Sequence, residues 1–184
     1  MISEIGKPHF YQFSYYLNTA PSSDNWRYKK SISYGGVILD MGYHMLDLIA
    51  DLFEQPSDSK AFISYVEDYT ANEKLEDSAT IILKHSDFLH GSIALSRSSP
   101  FKKESIAIYG DKKTILADKR KISVISSSGK TEKTIEIRSS ERSEELAMLN
   151  IYIKDIINKK VCIEHLKNNL NHMQCIKSIY ESIH

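Results

Sequence analysis

Residues 34–53, YGGVILDMGYHMLDLIADLF, thread one imidazole and three carboxylates through an otherwise apolar run. Asp40, His44, Asp47 and Asp51 return to nearly the same side of a helix, because residues four, seven and eleven apart stand almost one above another. Ile38, Met41, Met45, Leu48 and Leu52 take the rest of the circumference at helical spacing. Asp40 and His44 fall in the first two turns, where the positive end of the helix dipole favours an anion. A carboxylate one turn before a histidine can hydrogen-bond a ring nitrogen, fix the tautomer and support the imidazolium. The spacing therefore offers an acid/base pair facing a cleft. It equally fits the solvated stripe of an amphipathic helix, and Asp47 and Asp51, further from the helix start, are read that way. A metal site built from Asp40, His44 and Asp47 lacks a second group of ligands, so no metal is expected.

The elements that must position this pair can be read in order. Residues 9–17 form an aromatic-rich strand, and 18–34 a long polar loop carrying the single tryptophan, Trp26. The helix runs from about 36 to 54 and closes at Pro56. Strands are expected at 60–70, 77–85, 88–98, 104–110, 113–118, 121–127 and 132–138, joined by short polar links that favour hairpins and a mostly antiparallel sheet. Helical spacing returns at Ser139 and again over 164–183. Strand, loop, helix, a run of strands and two helices make a single α+β domain, with helices packed on one sheet face.

Composition excludes several classes. The chain has 184 residues, enough for one domain with a sizeable core, and 24 basic residues balance 24 acidic ones. No charge excess calls for nucleic acid or an anionic membrane. No apolar run approaches the roughly 18 residues of a membrane span, and the first residues lack a signal-peptide layout. Cys162 and Cys175 fit neither a zinc spacing nor a disulfide framework and read as reduced core thiols, so a cytoplasmic protein is expected. The seven glycines form neither G-x-G-x-x-G nor a P-loop, leaving no nucleotide-binding fingerprint. His85, His90, His165 and His172 show no partner spacing and read as surface or satisfied histidines. Tyr11 and Tyr15 read as packing residues on the sheet.

The segment NWRYKKSISYGGVILDMGYHMLDLIADLFEQP resembles the start of the C-terminal domain of the Gfo/Idh/MocA oxidoreductases. That family typically shows a tryptophan, a spacer, a glycine cluster and then D-x-G-x-H-x-x-D on a helix. Trp26, Gly35, Gly36, Asp40, Gly42, His44 and Asp47 fall in that order. IGKPHFYQFSYY resembles the family's opening strand, EDSATIILKHSDFLHGSIALS its E-D-x-A strand and hairpin, ESIAIYGDKKTILAD a later strand pair, and LKNNLNHMQCIKSIYESI its last helix.

The resemblance implies the substrate-binding and oligomerisation domain of an NAD(P)-dependent oxidoreductase. Such an enzyme acts on a hydroxyl or carbonyl carbon of a sugar, nucleotide-sugar or cyclitol. By the same resemblance His44 exchanges the proton of the reacting group, and Asp40 binds substrate or tunes that transfer. The catalytic lysine of the family's E-K-P motif and the NAD(P)-binding Rossmann domain are absent from this chain. It is therefore expected to bind no cofactor and to be inactive alone. Lys7, in Gly6-Lys7-Pro8, is read as a surface residue. Tyr34 stands where the family often has a third glycine, and it could reshape or enter the pocket. The loop before the helix should border the site. Trp26 could stack on a sugar ring, and Arg27, Lys29 and Lys30 could meet a carboxylate or phosphate. Arg97, just after a strand, is a further candidate. The open sheet face implies a homodimer or higher homo-oligomer. The alternative is a stand-alone carbohydrate-binding or assembly module, or the partner of a separate Rossmann subunit.

Overall fold

The computed structural model describes residues 2–19, 24–66, 68–137, 149–151, 153, 154, 157 and 163–183. The helix expected from Ser139 falls largely outside these residues, as do Cys162 and the side chain of His165.

Eight strands form one sheet: β1 Pro8–Asn18, β2 Asp58–Ser64, β3 Ser78–Lys84, β4 His90–Ser96, β5 Ser98–Gly110, β6 Lys113–Asp118, β7 Lys121–Ser126 and β8 Thr131–Glu136. Their order is β2-β3-β4-β1-β5-β6-β7-β8. β1 inserts between β4 and β5, running parallel to the first and antiparallel to the second. The other neighbours are antiparallel, so the fold is α+β with a mostly antiparallel sheet.

Period-two alternation sets the two faces. Ile81 lies opposite Ile93, Ile93 opposite Phe13, and Phe13 opposite Ile106, all toward the core. Helix α2, Tyr43–Leu52, adds Leu46 and Ile49 to that core, and the last helix, α4, Ile163–Glu181, adds Ile176 and Ile179. Tyr11 is fully buried, its ring lying where a Cβ at Gly91 would come within 2.2 Å, which is why a glycine faces it. Cys175 packs against this core, and burial pushes its thiol up to about 11. The opposite sheet face is open and carries the exposed Phe62, Ile82 and Leu116.

Two boundaries differ from expectation. The strand expected over 60–70 ends at Ser64, and Asp68–Glu73 form the short helix α3. Asp77 causes the turn, accepting the Val66 N–H at 2.8 Å and the Thr70 hydroxyl. β5 begins at Ser98 rather than 104, lengthened by its pairing with β1 across an irregularity near Asn18.

Candidate active site

The site is assembled where the loop after β1 enters α2. Asn25 accepts the Arg27 N–H at 3.1 Å and caps a single 3-10 turn, Trp26–Tyr28. Helix α1, Lys30–Ser33, follows and ends at Tyr34, whose φ of 61° is left-handed. Gly35 and Gly36 then pass through a space with no room for side chains. A Cβ at Gly36 would approach the Glu76 carbonyl to 2.2 Å, and one at Gly35 the Tyr180 hydroxyl to 2.3 Å.

Glu76, 2% exposed, fixes this entry. One carboxylate oxygen accepts the N–H groups of Gly36 and Ile38, each at 3.0 Å, and the Tyr180 hydroxyl at 2.7 Å. The first-turn amides that a helix leaves unpaired are thus bonded to a buried carboxylate. Burial first, and the Glu76 charge second, hold the Tyr180 phenol far above its ordinary range, so it remains a donor. Ile38–Gly42 winds one π turn before α2 becomes regular, a feature common beside functional sites.

The π turn and α2 bring Asp40 and His44 to the walls of the same two cavities. One, of about 280 Å³, also contains Tyr15, Thr19, Asn25, Arg27, Tyr28 and Arg97. The other, of about 220 Å³, contains Trp26, Arg27 and Tyr43. His44 opens in addition on a third cavity of about 420 Å³, lined by Tyr15, Met45, Leu48, Ile106 and Ala117 with Glu104, Asp118 and Lys119. The exposed imidazole thus stands where three spaces meet.

The expected stripe of four polar residues divides. Asp40 bonds Arg27, its Oδ1 lying 3.3 Å from Nε, and makes no hydrogen bond to His44 among the described contacts. Asp47 faces His172 of α4, Oδ1 to Nδ1 3.5 Å. His172 corrects its expectation: it is 1% exposed, and neither ring nitrogen has a hydrogen-bond partner. At 3.5 Å the Asp47 contact is an ion-pair distance, too long for a good hydrogen bond. His85 is satisfied by the Tyr11 hydroxyl at 2.8 Å and the Glu54 carbonyl, and burial lowers its pKa. Tyr15, expected only to pack, also lines two of the cavities.

The expected ligand contacts divide as well. Trp26 and Arg27 reach the cavities, the guanidinium lying 4.7 Å from the indole ring centre. Lys30 is exposed and lines none of the three cavities; its backbone N–H bonds Glu73 instead. Tyr34 is 76% exposed and also lines none of them. Arg97 reaches the cavity wall but is 3% exposed. Its Nε bonds Asp77 at 2.9 Å, and its guanidinium covers the Tyr28 ring at 4.3 Å. Arg97 is therefore better described as a brace for the loop than as a free cation for ligand.

Glu76 and Asp77 are the residues that sequence reasoning left without a role. The available signal was two adjacent acids opening an apolar strand, where unpaired carboxylates would be costly.

Residues 3–116 match the family model of the GFO/IDH/MocA C-terminal domain. The chain belongs to this family. No curated protein matches it in sequence. Among solved structures, this Gfo/Idh/MocA domain is similar to a levoglucosan dehydrogenase in complex with NADH and levoglucosan. The TM-score is 0.83 at 16% identity, over 98% of this chain and 58% of that one. It is also similar to a 3-ketoreductase from Actinomadura kijaniata in complex with NADP and TDP-benzene, with TM-score 0.83 and 9% identity over 100% and 57%. A third is a UDP-N-acetylglucosamine 3-dehydrogenase from Acidithiobacillus ferrooxidans, with TM-score 0.74 and 14% identity over 99% and 55%. The chain spans under three-fifths of the length of each of these proteins. No helix among the described residues is long and apolar enough to cross a membrane.

Proposed function

We propose that this domain forms the substrate side of an NAD(P)-dependent oxidoreductase acting on a hydroxyl or carbonyl carbon of a sugar, nucleotide-sugar or cyclitol. The observation that carries the reading is the position of His44, exposed at the junction of three cavities and sharing two of them with Asp40.

Oxidation of a secondary alcohol needs its hydroxyl proton removed as hydride leaves carbon. An imidazole that makes no hydrogen bond among the described residues, standing beside an open cavity, is suited to receive that proton. Asp40 lines the same wall with carboxylate oxygens able to accept hydrogen bonds from substrate hydroxyls. Trp26 offers an aromatic face to a sugar ring. The glycines of this chain form no G-x-G-x-x-G, which supports placing NAD(P) binding on another domain. The nicotinamide cofactor would accept the hydride and would be held by a separate Rossmann domain. The open sheet face, with Phe62 and Ile82 exposed, supports contact with a second copy. A cytoplasmic location is consistent with the thiol content.

The test is a panel of sugars and cyclitols offered, with NAD or NADP, to the natural gene product that carries this domain. Turnover of a panel member is expected. His44→Ala is expected to lower it by roughly 10²–10⁴-fold, the usual contribution of a positioned acid/base. An unchanged rate would return His44 to a solvated helix face. Binding without turnover would favour the carbohydrate-binding module.

A further inference from the structure

Arg27 and Asp40 are each half-exposed in the cavities at His44, and they are bonded to one another. That pairing fixes what kind of group they can recognise. The contact uses the Nε of Arg27, and the guanidinium rests on Trp26, whose turn is capped by Asn25. The two terminal nitrogens make no protein hydrogen bond among the described residues. Asp40 keeps its second carboxylate oxygen free in the same sense. The pair therefore presents donors and an acceptor side by side, on a support held by an aromatic stack and a cap.

An incoming carboxylate or phosphate would meet the positive charge of Arg27 and the negative charge of Asp40 at similar range. Attraction and repulsion then largely offset each other, while the anion still loses its hydration. Nothing else nearby restores the balance. Lys29 and Lys30 line none of the three cavities, and Arg97 is buried on Asp77. In the third cavity Lys119 is accompanied by Glu104 and Asp118. Among the described residues, Arg27 and Lys119 on the walls around His44 face three carboxylates, Asp40, Glu104 and Asp118, and the third cation, Arg97, is already paired with Asp77. A sugar hydroxyl has the opposite requirements. It donates once and accepts as well, so two neighbouring hydroxyls can give one hydrogen bond to Asp40 and take one from Arg27.

We infer that the ring accepted beside His44 is uncharged and presents a vicinal diol to Arg27 and Asp40, which makes Arg27 a specificity-determining residue. The inference rests on the sugar-oxidoreductase reading above and narrows it. It assigns Arg27 to hydroxyl recognition instead of the capture of an acidic sugar.

The experiment compares three ligands on the natural gene product: the best neutral sugar of the panel, its uronic acid, and the deoxy analogue lacking the hydroxyl that would accept from Arg27. Binding is followed by ligand-observed NMR and turnover by cofactor absorbance. Arg27→Gln and Arg27→Lys serve as variants, each checked for an unchanged thermal melt. On the neutral sugar, kcat/KM is expected to fall about 10- to 100-fold in Arg27→Gln, the usual range for a hydrogen bond to a charged group. Arg27→Lys should restore little of it, because an ammonium cannot supply the planar fork. On the deoxy analogue the same substitution should have almost no further effect. The uronic acid should be the poorer substrate in wild type. Preference for the uronic acid, abolished in Arg27→Gln, would overturn the inference while leaving the oxidoreductase reading intact. So would an equal Arg27→Gln penalty on the deoxy analogue. Failure of every ligand to bind would instead remove the reading on which it rests.

Discussion

Arg97–Asp77 and Arg27–Asp40 join the same residue types at 2.9 and 3.3 Å, and Arg97, Arg27 and Asp40 line one cavity. Their surroundings are opposite. Side-chain exposure is 3% and 0% in the first pair, 48% and 38% in the second. Asp77 is enclosed by donors, with the Val66 N–H, the Thr70 hydroxyl and the Arg97 Nε all bonded to its two oxygens. Buried charges survive only when so satisfied, and both oxygens of Asp77 are already bonded. Arg27 and Asp40 stay in contact with water, contribute little to stability as a pair, and keep groups free for recognition. The chemistry of a residue type thus does not assign its role; the number of its unused hydrogen-bonding groups does.

The comparison can be broken by unfolding. Arg97→Met removes the cation bonded to the buried Asp77 and is expected to lower the unfolding free energy by about 3–5 kcal/mol. Arg27→Met should change it by less than about 1 kcal/mol. Urea denaturation of both variants measures the difference. Equal losses would mean that both pairs are braces. Salt sharpens the contrast: about 1 M NaCl should erase the small Arg27 effect, since the screening length shrinks to roughly 3 Å, and leave the Arg97 effect nearly unchanged.

Glu76 comes next in size. Glu76→Ala removes the acceptor of two amides and the Tyr180 hydroxyl, and the same denaturation series should show a loss of about 2–4 kcal/mol. Glu76→Gln keeps an acceptor oxygen in place and should cost about half as much. The decisive readout is positional. Because Glu76 holds the entry to the helix that carries Asp40 and His44, Glu76→Gln should lower kcat in the natural gene product even where the fold persists. A variant with lost stability and unaltered kcat would make Glu76 a purely structural brace.

The sequence made the helix of Asp40 and His44 legible because its signals are local. Apolar spacing, two glycines and an aspartate one turn before a histidine all lie within twenty residues of one another. The short polar links between strand runs made a mostly antiparallel sheet legible, and the family resemblance implied its open face. What escaped depends on contacts between distant segments. Arg97 looked available until Asp77, twenty residues away, was found beneath it. The spacing allowed Asp40 to bond His44, yet Arg27, thirteen residues upstream of Asp40, holds that carboxylate. The β-like run through residues 65–70 carried no local sign that Asp77 would fold it into a turn and helix. The insertion of β1 between β4 and β5 was equally hidden, because parallel pairing at that separation leaves no turn signature.

Tyr34 gives the smallest expected effect and the cleanest separation of shape from contact. Its φ of 61° places a non-glycine residue in the left-handed region, which costs roughly 1–2 kcal/mol for an ordinary L-residue. Glycine relieves that strain but loses more backbone entropy on folding, about 0.5–1 kcal/mol. Since Tyr34 is 76% exposed, little buried area is lost on replacement. Tyr34→Gly is therefore expected to stabilise the domain by less than about 1 kcal/mol, a rise of a few degrees in Tm. KM for the sugar should not move, because Tyr34 lines none of the cavities at His44. A raised KM with a raised Tm would show that the phenol folds over the bound substrate. A lowered Tm would show that Tyr34 packs against a surface that its exposure does not reveal.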